Sequence, residues 1–210
     1  MIHEILVVGP LRCNCSILGD ETSHEAIVVD PGDNISSIVA TLARHQLTLK
    51  QIIVTHAHID HIAGAQQLKR LTGAPILYNQ LDLPLVKMMD IQASWLGVAT
   101  PEVAPPDANL TDNLPISIIG LDGIILHTPG HTEGSSCLYL PDQSLLIAGD
   151  TLFAGSVGRT DLPGGDTRKL MKSIHERILT LPDEVKVIPG HGSATTIGTE
   201  RSNNPYLISQ

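Results

Sequence analysis

The chain predicts an α/β fold on three observations. Short runs rich in Ile and Val recur along it, amphipathic helical patterns lie between them, and polar residues gather just beyond the ends of the runs. At 210 residues, with 42% hydrophobic but only 2% aromatic content, it is long enough for one domain spanning residues 1–210, its core built from Ile, Val, Leu and Ala.

The elements follow in order. Residues 2–8 form an apolar run that breaks at Gly9-Pro10; it lacks the basic flank and the length of a signal peptide and reads as a first strand. Residues 26–29 and 51–54 read as further strands. Residues 116–119, 124–126, 138–140, 145–148 and 186–188 supply those of a second half. Ile35, Ile38, Val39 and Leu42 follow the spacing i, i+3, i+4, i+7 behind a cap at Asp33 or Asn34, which predicts a helix. Another is expected to begin near His61, carry Ile62, Ala65 and Leu68 inward and stop at Gly73, with Pro75 barring its continuation. Behind Thr167, the four-residue recurrence of Leu170, Ile174 and Ile178 predicts a third. Pro101 to Pro115 is the least periodic stretch and separates two halves that echo each other weakly.

Charge and composition exclude several function classes. The 13 Lys+Arg against 22 Asp+Glu give a net charge of −9, opposite to what phosphate neutralisation requires, so neither nucleic acid nor an anionic membrane is an expected partner. No apolar stretch approaches the roughly 20 residues of a spanning helix. Cys13, Cys15 and Cys137 make an odd count without a pairing framework, which fits a reducing, cytoplasmic setting and small buried side chains. No G-x-S-x-G elbow and no Walker loop occurs, and the Gly-rich run from Gly155 to Gly165 reads as a loop near the site.

The chemistry concentrates in Thr55-His56-Ala57-His58-Ile59-Asp60-His61, which places three imidazoles and a carboxylate in six consecutive positions at the end of an apolar strand. Polar titratable groups crowded there must be hydrated, paired or ligated, and divalent metal ligation satisfies all four together. In an extended segment His56 and His58 share one face and can meet one ion, while Asp60 and His61 face elsewhere and can serve a second. Other strand ends repeat one grammar: residues 124–126 run into His127-Thr128-Pro129-Gly130-His131, residues 145–148 into Gly149-Asp150, and residues 187–188 into Pro189-Gly190-His191. By itself each of these is equally a capped turn residue; together His131, Asp150 and His191 raise the candidate set to five imidazoles and two carboxylates. A mononuclear zinc site would use three protein ligands and water, whereas two ions sharing Asp150 and a hydroxide would use all seven. Asp30 reads equally as a helix cap and as a partner to a ligating imidazole, and His127 as a satisfied core histidine.

The motif His56-Ala57-His58-Ile59-Asp60-His61, followed by single matches at His131, Asp150 and His191, resembles the metallo-β-lactamase superfamily over nearly the whole chain. The resemblance implies a four-layered αββα sandwich with the site at one edge of its two sheets. Within the superfamily, the 55–61 segment and His127-Thr128-Pro129-Gly130-His131-Thr132 most resemble type II glyoxalases, the hydroxyacylglutathione hydrolases, in their compact bacterial form. That likeness implies two divalent ions, zinc expected with iron or manganese as alternatives. His56, His58 and His131 would hold the first ion and Asp60, His61 and His191 the second. Asp150 would bridge them, and Asp60 would support the bridging hydroxide that attacks a small glutathione-derived thioester such as S-lactoylglutathione. The larger type II glyoxalases carry a helical carboxyl-terminal extension that holds glutathione; here the sequence ends 19 residues after His191 (210 − 191), so no separate domain of that kind is expected. Gly158-Arg159-Thr160-Asp161 also resembles a loop of persulfide dioxygenases, which implies a competing mononuclear iron site at His56, His131 and Asp150. Other ester or lactone hydrolysis is a further alternative, and oligomeric state is not legible.

Overall fold

The structure, a computed structural model, describes residues 1–208. A first sheet has the order β1 (Ile2–Val8), β2 (Cys13–Gly19), β3 (Glu25–Val29), β4 (Thr48–Ile53), β5 (Ile76–Tyr78) and β6 (Ala108–Asn109). The second runs from β7 (Pro115–Ile118) through β8 (Leu121–His127), β9 (Ser136–Leu140), β10 (Leu145–Gly149) and β13 (Lys186–Pro189) to β14 (Thr195–Thr196). A small hairpin of β11 (Leu152–Phe153) and β12 (Ser156–Val157) stands apart.

Alternation along each strand builds the layers. Ile27 and Val29 of β3, with Ile53 and Leu77, pack between the sheets against Ile125, Leu138, Leu140 and Ile147. Their neighbours Ala26 and Val28 face outward, where α1 (Ile35–Arg44) and α3 (Ala65–Thr72) bring Ile38 and Leu68. On the far side Leu146 and Val187 meet Leu170, Ile174, Ile178 and Ile197 from α6 (Thr167–Ser173), the π turn that continues it, and α7 (Ile197–Asn203). The strands β3, β10 and β13 are therefore buried on both faces, which is why they read as continuous apolar runs, and each fully buried Ile or Leu stabilises the fold by about 1.5–3 kcal/mol. The result is a four-layered αββα sandwich with two helices-on-sheet cores and one sheet-on-sheet core.

Several local expectations shift. The helix expected from His61 to Gly73 is two: α2 (Ile59–Ile62) and α3, broken at Gly64, where an added Cβ would lie 2.4 Å from Pro31 O and from Ile35 Cδ1. Gly73 does end α3, at φ 77°. Asp166 rather than Thr167 caps α6, its Oδ1 accepting from the Arg168 and Lys169 amides. Asn34 precedes α1 in the left-handed region without capping it; its Oδ1 accepts instead from Gly9 N at 2.9 Å. The strand β2 and the helices α4 (Leu83–Val86), α5 (Met89–Leu96), α7 and α8 (Pro205–Ile208) carry no clear signal in the sequence pattern.

The topology brings five strand ends together. β3 and β4 are parallel; β8, β10 and β13 also run one way, because β9 is antiparallel to both β8 and β10 and β10 is parallel to β13. The sheets join at this edge through Ser136 N donating to Thr55 O at 2.9 Å and Asn14 N donating to Gly190 O at 2.7 Å. No helix among the described residues is long and apolar enough to cross a membrane.

Candidate metal centre

All seven residues singled out in the sequence converge at that edge. His56 Nε2, His58 Nδ1 and His131 Nε2 form a triangle with sides of 3.0, 3.0 and 3.2 Å. Beside it, His191 Nε2 lies 3.1 Å from Asp60 Oδ2 and 3.3 Å from His61 Nε2. Asp150 stands between the two sets: Oδ1 is 3.5 Å from His61 Nε2, and Oδ2 is 3.6 Å from His131 Nε2 and 3.7 Å from His191 Nε2. Gly190 makes room for this, since a Cβ there would fall 2.1 Å from Asp150 Oδ1 and 2.7 Å from His61 Cε1. His58 is extended, at φ −74° and ψ 147°, whereas Asp60 and His61 occupy the first turn of α2; His61 lies between the two sets, its ring centroid 4.1 Å from that of His56.

The partners of the outer ring nitrogens fix the tautomers. His131 Nδ1 faces Arg159 O at 2.7 Å and His191 Nδ1 faces Leu11 O at 3.0 Å; a carbonyl only accepts, so both Nδ1 atoms donate and both Nε2 atoms present lone pairs inward. His61 Nδ1 donates to Asp30 Oδ2 at 2.9 Å. Thr55 Oγ1 donates to Asp30 Oδ2 at 2.8 Å, so at 3.1 Å it accepts from His56 Nδ1, which leaves His56 Nε2 unprotonated. Asp30 thus orients an imidazole and does not cap a helix. His127 is satisfied through Nε2 and Glu133 O at 2.9 Å, away from the site, but it is half-buried and not the core residue expected.

The Metallo-beta-lactamase superfamily profile matches residues 8–191 of this chain. The chain belongs to the metallo-beta-lactamase superfamily. Among superfamily relatives, the hydroxyacylglutathione hydrolase GloC of Haemophilus influenzae is 37% identical over 211 residues, covering 99% of this chain and 98% of that protein. Of solved structures, the BLEG-1 B3 metallo-beta-lactamase superposes with a TM-score of 0.89 at 33% identity, covering 99% of this chain and 100% of that one. The TTHA1623 protein in a di-iron-bound form gives 0.87 at 36% identity, covering 97% and 100%.

The residues present fit the divalent metal this fold binds. Ring nitrogens and carboxylate oxygens converge within each set, an arrangement that a cation at its centre would satisfy. An ion holding nitrogens at about 2.0–2.1 Å in a tetrahedral array sets them about 3.3 Å apart, close to the separations in both sets. Asp150 Oδ1 is buried without a hydrogen-bond partner, as a ligand oxygen would be. Charge tells the same story. Burial, then the neighbouring imidazoles, drives His56 and His58 well below the ordinary histidine value, so the first set offers neutral nitrogen donors. In the second set burial opposes protonation of His61 and His191, yet the surrounding acidic groups, Asp60 and Asp150 among them, push both upward.

Cys13 Sγ approaches His61 Nδ1 at 3.6 Å, but burial pushes its thiol up to about 11, so it packs there as the neutral thiol expected for a small buried side chain. Two residues that the sequence pattern does not reveal hold the ligand loops. Asp82, buried just ahead of α4, accepts from Ala57 N at 2.9 Å and Thr132 Oγ1 at 2.9 Å through Oδ2, and from Gly134 N at 2.7 Å through Oδ1. Gln92 of α5 accepts from Ile59 N at 2.9 Å and donates to Leu85 O at 3.0 Å. A charged residue inside the apolar run Leu81-Asp82-Leu83-Pro84-Leu85 is the only hint of the first. A cleft of about 470 Å³ opens over the centre, between Leu11, Trp95 and Leu162.

Proposed function

We propose that this superfamily metallo-hydrolase cleaves thioesters at a binuclear centre. One observation carries the reading: two adjoining three-residue donor sets flank Asp150, whose Oδ1 is buried without a hydrogen-bond partner. His56, His58 and His131 would hold one ion and Asp60, His61 and His191 the other, with zinc the expected occupant and iron, as in the di-iron TTHA1623 structure, the alternative. Such ions would supply a water-derived nucleophile at neutral pH and a Lewis acid for the carbonyl oxygen. The chain's part is to hold the rings: Asp30, Thr55 and the carbonyls of Leu11 and Arg159 fix four imidazoles by their outer nitrogens, as metal-ligating histidines require.

The leaving group follows from what the cleft lacks. Among the described residues lining it, every ionisable side chain apart from Arg159 belongs to the candidate ligand sets, so no separate general acid is at hand. A thiol with a pKa near 8.5 leaves as its anion without protonation, whereas an amine does not. The likeness to GloC makes S-lactoylglutathione the reference substrate. A mononuclear iron dioxygenase is the second reading, favoured by the resemblance of Gly158-Arg159-Thr160-Asp161 to a loop of that class; the assembled Asp60, His61 and His191 set, which such an enzyme would leave idle, weighs against it. Both are tested on one preparation by S-lactoylglutathione hydrolysis and by oxygen uptake with glutathione persulfide, beside metal analysis. Thioester turnover with about two ions per chain is expected, and oxygen uptake with one iron per chain would sink the hydrolase reading.

A further inference from the structure

The chain has one Trp, one Phe and three Tyr, and it leaves its single Trp out of the core. Trp95, on the last turn of α5, is 56% exposed and stands at the mouth of the cleft over the ligand sets. Leu11, 45% exposed, and Leu162, half-buried, line the same opening. Leu11 is also anchored, since its carbonyl is the acceptor that orients His191. Large apolar groups collected at the rim of a site, on a chain otherwise poor in aromatics, form a surface for a ligand to cover.

The polar lining points the same way. Arg159 is the only Lys or Arg among the described residues around the cleft, and its Nε and Nη2 are each held at 2.8 Å by the Asp161 carboxylate. The guanidinium charge is thereby balanced by its own loop, and an incoming carboxylate must compete with a bidentate partner two residues away. Asp60 and Asp150 at the floor belong to the donor groups, so their charge would be met by the ions they hold. Nothing in this lining selects a multiply anionic carrier.

We propose that the cleft selects thioesters by an uncharged, apolar arm packed against Trp95 between Leu11 and Leu162, and that carboxylates on the carrier thiol contribute little. This rests on the hydrolase reading for the nature of the reacting bond, but its test does not require turnover. Trp95 is the sole indole, so its emission reports directly on the cleft. The metal-loaded full chain is titrated with four non-hydrolysable thioethers, S-methyl and S-benzyl derivatives of the uncharged thiol N-acetylcysteamine and of glutathione. Benzyl should bind about tenfold or more tighter than methyl on either carrier and shift the emission to the blue, while glutathione should change affinity by less than about threefold. In Trp95→Ala, followed by calorimetry, the benzyl preference should fall to about twofold with metal content unchanged. A glutathione advantage of tenfold without a benzyl advantage would overturn the assignment, as would an emission shift that follows protein concentration instead of ligand. If the binding pattern holds and no thioester is cleaved, only the hydrolase reading fails; if thioesters are cleaved without an apolar preference, only the cleft assignment fails.

Discussion

Asp82 offers a sharp test of how the ligand loops are held, because it touches no candidate ligand side chain. One carboxylate receives three donors from two different loops: Ala57 N, between His56 and His58, then Thr132 Oγ1, next to His131, and Gly134 N. Burial pushes this carboxyl above its usual range, and the three donors pull against that. In Asp82→Asn the single amide oxygen can keep Ala57 N and Thr132 Oγ1, but the NH2 group must then face Gly134 N–H. One hydrogen bond to a charged acceptor is lost, worth about 1.5–3 kcal/mol, and relief from burying the charge offsets part of it. The net expectation is about 1–3 kcal/mol of destabilisation, at about 2–4 °C of Tm per kcal/mol for a chain of this length. Loosening both loops should also weaken metal binding by about tenfold or more. Urea unfolding and competitive metal titration read the two effects separately. A variant with an unchanged urea midpoint and metal affinity within twofold would refute the clamp.

Two other perturbations bear on the site and the fold. Asp60→Ala removes one member of the second donor set, so metal analysis should fall from about two ions per chain to about one, with hydrolysis reduced about tenfold or more; two retained ions would contradict the assignment. Away from the site, burial would raise the Asp112 carboxyl, but Arg177, at 2.6 and 2.7 Å, and His127 N hold it below its usual range. A depressed folded value adds stability above the ordinary carboxylate pKa of about 3.9 and loses it as pH falls through the lower folded value. Arg177→Met should therefore be less stable than the parent at pH 7, with the gap closing below about pH 4 in urea midpoints. A gap independent of pH would place the effect in lost packing instead.

How much of this was legible follows from what each element does. β3, β10 and β13 are buried on both faces and built from aliphatics, so their runs stand out. β2 is equally buried at every position, yet it carries Cys13, Asn14, Cys15 and Ser16, which give neither alternation nor an apolar run. Its polar groups have tertiary reasons: Asn14 Nδ2 donates to Pro189 O and Gly192 O at 2.9 Å each, tying the strand to the loop that carries His191. The helix α5 hid for the opposite cause, because Ile91 and Trp95 lie on its exposed face and blur the amphipathic pattern. The seven site residues were readable because imidazoles and carboxylates at strand ends are scarce. Asp82 and Gln92 were not, since their work is to bond backbone amides far away in sequence, and no local pattern encodes that.

The proposed binuclear centre is tested most directly by anomalous scattering from a crystal of the metal-loaded protein, collected on either side of the absorption edge of the ion it carries. Two peaks are predicted, one among His56, His58 and His131 and one among Asp60, His61 and His191, with Asp150 in contact with both. A single peak, with Asp60, His61 and His191 left without an ion, would contradict the two-metal account.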